Sequence, residues 1–162
     1  MTEHASHDWI PLTELADQER LLQFQRFSHD RAWNLGTAFV QDAFEHETPV
    51  VIDISLGEQQ LFHAAMRGTV SDHDMWIDRM VRVVRRFGHS SLYVGQRSRD
   101  AGTDFVQEFA LPIHQYAAYG GAFPITVRNA GVVGVVAVSG LRELDNHRFV
   151  THLLEQYLRD DV

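Results

Sequence analysis

The segment Gly88-His89-Ser90-Ser91 places an imidazole beside two hydroxyl groups, which are the residue types of a serine hydrolase. In such an enzyme the histidine accepts the proton of the serine, and a third group orients the histidine. Neighbouring positions in the chain do not by themselves create that geometry. We therefore expect Ser90 and Ser91 to cap a helix end or a loop. Contact between this loop and a ligand, and hydrolysis, are the alternatives.

A second candidate is the string YGGAFP from Tyr119 to Pro124. Paired glycines adopt φ values that other residues avoid, and they let a ligand come close to backbone N–H groups. A simple turn before a strand is the alternative. Ser139 and Gly140 end a later strand and are expected at the same cleft. The predicted ligand-binding residues are therefore His89, Ser90, Ser91, Gly120, Gly121, Phe123, Pro124, Ser139 and Gly140.

The chain contains 10 histidines, so ligation of a metal ion or of haem iron has to be weighed. The spacing of these histidines favours no such site. His147 and His152, for example, are five residues apart and lie on different sides of one predicted helix. We expect exposed or hydrogen-bonded histidines, and no metal site is predicted.

Four arginines follow helical spacing in a chain whose net charge is -8, namely Arg79, Arg82, Arg85 and Arg86. A solvated helix face with Asp74 and Asp78 as partners is the first interpretation. A site for carboxylates, such as the propionates of haem, and a contact between subunits are the alternatives.

Length and composition limit the classes of function. The 162 residues, 44% of them hydrophobic, suffice for a core without covalent cross-links. The lack of cysteine excludes disulfides and zinc–thiolate sites. An excess of 22 acidic over 14 basic residues argues against nucleic acid or an anionic membrane as the main partner. No apolar run approaches the ~20 residues of a membrane span, and the N-terminus lacks a signal-peptide pattern, so a cytoplasmic protein is expected.

Hydrophobic periodicity predicts the elements that position these residues. A helical region over 12–47 breaks near Ser28, which caps its second part. Strands over 50–56 and 61–66 form a hairpin, and a helix follows that starts at Ser71 in a capping-box-like pattern and ends at Gly88. Residues 89–119 read as short helical pieces and loops. Strands over 122–127 and 132–139 form a second hairpin, and Asp145 or Asn146 caps a last helix.

This order of elements predicts an α+β fold of profilin-like or PAS-like type, with an antiparallel sheet built from two hairpins and helices layered on it. The run of valines from Val132 to Val138 is apolar on both faces, which indicates a central strand. We expect a flexible tail over residues 1–10 and a single domain over residues 11–162.

Several strings, taken in order, resemble the haem-degrading domain family, which is also called GlcG-like or HbpS-like. They are FHAAMRGT from Phe62, WIDR from Trp76, FGHSSL from Phe87, GGAFPI from Gly120 and VVGVVAVSGL from Val132. Within that family the resemblance is to a bacterial and fungal subgroup without an assigned activity. Relatives often carry a lysine where this chain has Met80 and an acidic residue where it has Asn146.

The resemblance implies a profilin-like fold, homo-oligomers built from dimers and, in some members, binding or slow degradation of haem. It supports the glycine pair Gly120-Gly121 and the Ser139-Gly140 strand end as the cleft, and it maps no haem-ligating residue. We therefore expect a small-ligand-binding protein with haem as a candidate ligand. The alternative is a non-enzymatic homo-oligomeric assembly protein in which Trp76 and Phe123 form subunit contacts.

Overall fold

The computed structural model describes residues 9–161, and within them six helices and four strands. In chain order they are α1 (Leu12–Leu21), α2 (His29–Glu45), β1 (Val51–Leu56), β2 (Gln59–Ala65), α3 (Ser71–Phe87), α4 (Ser91–Ala101), α5 (Phe105–Glu108), β3 (Ala122–Val127), β4 (Gly131–Ser139) and α6 (Glu143–Asp160). The predicted α+β class is confirmed, as are both hairpins.

The four strands form one antiparallel sheet in the order β2-β1-β4-β3. β1 and β4 are the central pair, with Ile52 opposite Val138 and Ile54 opposite Val136. The predicted central position of the valine-rich strand is confirmed, since the end of β4 from Val135 to Val138 is buried. Val132, at the start of the same strand, is 44% exposed because it lies beyond the covering helices.

Alternation of side chains gives the sheet two faces. On one, here the α2/α6 face, Ile52, Ile54, Phe123 and Val136 pack against α2 and α6. On the other, here the α3 face, smaller residues such as Ala122 and Ala137 pack against α3.

Helix α2 shows why the sequence forms this layer. Ser28 caps it as predicted, because its Oγ accepts the N–H of Arg31 at 3.3 Å. The buried stripe of α2 faces the sheet and consists of Ala32, Leu35, Phe39 and Ala43. Gly36 in this stripe lies directly against Phe62 of β2, and a Cβ there would come within 2.4 Å of the ring.

Helix α3 starts at Ser71 as predicted, but the caps predicted for α3 and α6 are wrong. Ser71 is the first residue of α3 and not its cap; the cap position is held by Val70, whose N–H donates to Nδ1 of His73 at 3.0 Å. Helix α6 starts at Glu143, ahead of the predicted caps. The side chain of Asn146 instead accepts the N–H of Leu141, which precedes the helix. In both cases the polar side chain bonds back from inside the first turn.

The start of the described chain is packed on the fold. Ile10 is buried in a cluster with Leu15 and Leu92, and the ring of Trp9 lies 4.1 Å from the guanidinium carbon of Arg99. Both residues fall within the predicted tail, whose first eight residues lie outside the described residues. Among the helices that the structure describes, none is both long and apolar enough to cross a membrane.

Candidate functional site

A cleft of about 450 Å³ opens where the end of β4 meets the start of α6 and the first half of α3. We call it the Trp76 cleft. The residues that line it are His73, Trp76, Met80, Tyr119, Ser139, Gly140, Leu141, Arg142 and Glu143. Two of the predicted ligand-binding residues, Ser139 and Gly140, are therefore among its lining residues.

The spacing of three residues on α3 builds one wall. His73, Trp76 and Met80 are three and four residues apart, so they share one helix face. The ring of Trp76 meets that of Tyr119 edge to face, with centroids 5.5 Å apart and planes at 83°. The guanidinium of Arg79 lies 4.5 Å from the Trp76 ring centroid. The wall is therefore aromatic, with a cation at its outer side.

The paired glycines lie behind the cleft and permit close packing of backbone against backbone. A Cβ at Gly120 would come within 2.1 Å of the carbonyl oxygen of Glu143, and one at Gly121 within 2.4 Å of that of Val138. Gly121 also has φ near 151°, which side chains disfavour. These two glycines thus set the width of the junction between β3, β4 and α6.

A smaller pocket of about 280 Å³ lies on the other side of the same aromatic pair. We call it the Arg79 pocket. Trp76 and Tyr119 line both cavities, while Arg79, Arg99 and Tyr116 line only the smaller one. Both cavities carry groups of both charges, since Arg142 and Glu143 line the cleft while Arg79, Arg99 and Asp104 line the pocket.

Glu143 is the most perturbed ionisable group of the cleft. Burial raises the pKa of its carboxyl group, and the nearby Arg99 and a backbone hydrogen bond from Gly120 lower it in part. Its Oε1 is 3.9 Å from Nη1 of Arg99, which is too far for a hydrogen bond.

The predicted loop at His89 lies outside the Trp76 cleft and is occupied by internal bonds. Nδ1 of His89 is 2.6 Å from a carboxylate oxygen of Glu19, and the ring stacks on Tyr93 at 4.2 Å. Ser90 caps α4, since its Oγ accepts the N–H of Tyr93. The Oγ of Ser91 is fully buried between the N–H and the carbonyl of Ala122. The expected capping is met by Ser90 alone, since Ser91 bonds to the backbone of β3, and both hydroxyl groups are used within the fold.

Phe123 and Pro124 are neighbours on β3, so their side chains point to opposite faces of the sheet. Phe123 is 1% exposed in the core of the α2/α6 face and does not line the Trp76 cleft. Its predicted role in a subunit contact is contradicted by this burial within the chain.

The arginine stripe on α3 does not form the predicted pairs with Asp74 and Asp78. Arg79 donates to the carbonyl of Ile113, Arg82 to that of Gln115, and Arg85 to that of Gly57. Asp74 instead meets Nε2 of His63 at 2.6 Å. Three of the four arginines therefore fix loops onto the helix.

A buried histidine lies near the cleft, at a position where the sequence predicted only a histidine of the last helix. His147 of α6 is 1% exposed, and its Nε2 lies 2.7 Å from Oε1 of Gln18. Burial lowers its pKa to about 3, so the ring is neutral at neutral pH. The signal for it was its position on the buried stripe of α6, one turn before Val150 and Thr151.

Within residues 9–161, no three histidine or carboxylate side chains are grouped so that they could hold a metal ion. A larger cavity, about 820 Å³ between α1 and α6, is more exposed, and charged residues of both signs make up about half of its lining. We place the candidate site at the Trp76 cleft because the glycine and serine motifs and the aromatic wall meet there.

Comparison with known proteins identifies the family of this chain. Residues 27–155 match the family described as haem degrading protein HbpS-like. A UPF0303 protein of Streptomyces coelicolor is 50% identical over 147 residues, which cover 91% of this chain and 93% of that one. The crystal structure of Ybr137w protein has a TM-score of 0.87 and 32% identity, and covers 94% of this chain and 90% of that one.

A more distant solved structure, the PduOC:heme complex, shares the fold with a TM-score of 0.67 at 13% identity, and covers 80% of this chain and 93% of that one. At that identity the likeness concerns the fold. The match to the family and the 50% identity of the Streptomyces relative extend over most of the chain. The chain therefore belongs to the HbpS-like haem-degrading family.

Proposed function

We propose that this chain is a small-ligand-binding protein whose ligand lies in the Trp76 cleft, and that haem is the first ligand to test. The observation that carries the proposal is the aromatic pair of Trp76 and Tyr119 at an open cleft next to the Ser139-Gly140 strand end. Ligand sites typically combine such apolar walls with a few polar groups.

Family membership brings haem into consideration, and the PduOC relative is a complex with heme. A planar ring fits against Trp76, and Arg142, whose side chain is 90% exposed, is suited to a carboxylate. Iron ligation fits less well. Nδ1 of His73 already accepts the N–H of Val70, so the proton of a neutral ring lies on Nε2. Met80 is 2% exposed and packed at Gly121. No chemical step is therefore derived through haem.

Titration with haem, followed at the Soret band, tests the proposal. We expect a saturable change that Trp76→Ala weakens at least 10-fold, because the ring loses its stacking surface. Trp33→Ala is the matched control, since Trp33 is 62% exposed on α2, away from the cleft lining. A lack of saturation, or equal weakening by both variants, would contradict binding of haem at this cleft.

A second candidate function is assembly of homo-oligomers, without chemistry. Trp33 and Phe44 are 62% and 70% exposed and are eleven residues apart, so they share one outward face of α2. Large exposed apolar side chains on one face are typical of contact surfaces. Light scattering tests this: a dimer or larger even assembly that Trp33→Ala with Phe44→Ala dissociates would support it, and a monomeric parent protein would exclude it. The predicted single domain over 11–162 and the cytoplasmic location remain part of the proposal.

A further inference from the structure

The two outer edges of the sheet differ in how they are protected. At the β3 edge, Phe24 forms a parallel bridge with Val127. Its N–H donates to the carbonyl of Thr126 at 2.8 Å, and its carbonyl accepts the N–H of Arg128 at 2.9 Å. Pro124, within β3, has no N–H to offer a further strand. The β3 edge is therefore occupied in part and interrupted by a proline.

The β2 edge has no such protection. In the part of the chain that the structure describes, no strand or bridge pairs with the outer side of β2. Its sequence, QQLFHAA, contains no proline and no aspartate, glutamate, lysine or arginine. Edge strands of native proteins are normally protected by such residues, because an open edge pairs readily with another strand. The outer edge of β2 is therefore a surface that can accept a partner strand.

The hydrogen bonds around β2 show which backbone groups are available at this edge. The N–H of Met66 donates to the carbonyl of Val50, on the β1 side, at 3.0 Å. Since successive residues of an antiparallel strand turn their backbone groups to opposite sides, Ala64 also bonds toward β1. The N–H and C=O groups of His63 and Ala65 therefore face outward, and both residues are exposed.

Exposed apolar side chains flank this edge on both faces of the sheet. On the α2/α6 face, Trp33 is 62% exposed, and its ring meets that of Phe62 of β2 edge to face with centroids 5.6 Å apart. On the α3 face, Met75 is 59% exposed and follows Asp74, whose carboxylate lies 2.6 Å from Nε2 of His63. A partner that covers both patches must carry a layer on each side of its own strand.

A second copy of this chain has that construction, whereas a single extended peptide adds only a strand. A chain with a net charge of -8 repels its own copies, so contact is least costly along a strand without acidic residues. Pairing that places His63 opposite Ala65 of the other copy uses the outward backbone groups of both chains and keeps the two imidazoles apart. A self-complementary contact of this kind closes as a dimer.

We propose that a second copy of this chain pairs antiparallel with the outer edge of β2, about a two-fold axis at Ala64, so that two four-stranded sheets become one continuous sheet. The Trp33 side chains then flank the junction of the two copies on one face of the joined sheet, and the Met75 side chains flank it on the other. The inference rests on the second candidate function, the assembly of homo-oligomers, for which it names the interface. It does not depend on the ligand of the Trp76 cleft.

Disulfide cross-linking tests the register, because the chain has no cysteine and each variant therefore carries a single thiol. In Ala64→Cys the two thiols face each other across the axis, where antiparallel Cα atoms are about 4.5 Å apart, which suits a disulfide. In Ala65→Cys, the matched control, the two positions lie on a diagonal of about 7–8 Å, which is too long. Under mild oxidation we expect Ala64→Cys to give a covalent dimer in at least 10-fold higher yield than Ala65→Cys. Equal yields, or a higher yield for Ala65→Cys, would overturn the proposal.

Light scattering on the parent protein and on one edge variant tests the contact itself. Ala65→Lys places a charged side chain at the outward edge of β2, where it blocks a second strand. We expect this variant to halve the mass of the assembly or to raise the dissociation constant of a dimer at least 10-fold. Ala130→Lys adds the same charge at an exposed position between β3 and β4 and should leave the mass unchanged. An unchanged mass of Ala65→Lys would overturn the proposal.

The failure of this inference is distinguishable from that of the assembly function. If the parent protein is monomeric at every concentration tested, both are wrong. If the parent protein assembles, but Ala65→Lys leaves its mass unchanged or Ala64→Cys has no advantage, the copies meet through another surface and the β2 interface alone is wrong. If circular dichroism shows that Ala65→Lys does not fold, the two cysteine variants decide.

Discussion

The two faces of the sheet are filled differently. On the α2/α6 face, large apolar side chains such as Phe39, Ile54 and Leu154 are fully buried between the sheet and two helices. On the α3 face, β3 and β4 contribute small residues such as Ala122 and Ala137, and one long helix covers them. Small side chains leave space at the margins of the helix, and the Trp76 cleft lies at one such margin.

The α3 face also buries polar groups. Asp53 of β1 is 9% exposed, accepts a hydrogen bond from Gln60 and has its pKa raised by burial. Next to it, Arg85 donates to the hydroxyl of Ser55. The comparison indicates that the filled face supplies most of the stability, while the less filled face holds Asp53, Ser55 and the Trp76 cleft.

The largest expected effect is on the filled face. Phe39→Ala should lower the free energy of unfolding by about 3–5 kcal/mol, because it removes a fully buried ring from a packed core. Urea denaturation measures this change. Trp76→Ala on the α3 face should cost clearly less, since Trp76 is only partly buried. Phe44→Ala, on the same helix as Phe39 but 70% exposed, is the control and should change stability by about 0.5 kcal/mol or less. Equal losses of stability for Phe39→Ala and Trp76→Ala would contradict a larger contribution of the α2/α6 face to stability.

Lowering the pH should destabilise the protein through His147 on the α2/α6 face and stabilise it through Asp53 on the α3 face. His147 has a pKa of about 3 in the folded protein, below the value of about 6.5 for an unfolded chain. Between these values the unfolded chain binds one more proton, so stability falls as the pH falls, by about 1.4 kcal/mol per pH unit from this group. Urea denaturation of the parent protein and of His147→Gln between pH 6 and 4 should show a shallower slope for the variant. His152→Gln, at an exposed position, should keep the parent slope.

For Asp53 the sign is reversed. Its folded pKa is raised, so the folded protein holds the proton to higher pH than the unfolded chain does, and stability is lost as the pH rises above the unfolded value. Asp53→Asn should remove that loss while its amide oxygen keeps the bond to Gln60. Urea denaturation over the same pH range measures it, and an unchanged pH profile in Asp53→Asn would show that this carboxyl group is not desolvated.

At the junction behind the cleft, Gly120→Ala should cost about 1–3 kcal/mol, because the new Cβ would meet the carbonyl oxygen of Glu143 at 2.1 Å. Thermal unfolding measures the loss, and ligand binding should weaken with it as α6 moves. Gly57→Ala is a control with positive φ but open space around the Cβ, so only the backbone cost of about 1 kcal/mol applies. A smaller loss of stability for Gly120→Ala than for Gly57→Ala would show that the backbone at the junction moves to accommodate the Cβ at little energetic cost.

The smallest expected effects concern the two serines before and at the start of α4, and Ser91→Ala should cost about 1–2 kcal/mol in urea denaturation. The variant leaves the buried N–H of Ala122 without the hydroxyl oxygen that now accepts it at 3.1 Å. Ser90→Ala removes a helix cap and should cost about 1 kcal/mol. A neutral Ser91→Ala variant would show that the α3 face tolerates an unpaired buried N–H. The difference between the two faces would then be larger than described.

Local patterns predicted the elements well and the contacts between distant segments less well. The helical period of α2 and the alternation of β1 were sufficient to predict both elements, because the pattern of buried residues repeats along a helix or a strand. The caps of α3 and α6 were misplaced, since Val70 and Arg142 occupy the cap positions without a polar cap, and the bonds come from residues inside the helices. A cap rule cannot anticipate bonds that run backward along the chain.

For the candidate site, Ser139 and Gly140 were predicted as lining residues of a cleft and do line one, whereas a ligand-binding role for the His89 loop and for Phe123 and Pro124 stays a prediction. Glu143, Met80 and Arg142 had no motif to reveal them as lining residues. Met80 lies on α3, whereas Arg142 and Glu143 lie at the start of α6. The path of the chain from β4 into α6 brings them together.

The sequence by itself determined the α+β class, the two hairpins, the central valine strand and the family, because each rests on a repeated local pattern or on ordered strings of residues. Only the tertiary structure decided that His89 pairs with Glu19, that Phe123 turns away from the cleft and that Arg79 donates to the carbonyl of Ile113 beside Trp76. Hydrogen bonding and burial depend on which distant segments meet, and that information lies in the packing of helices on the sheet.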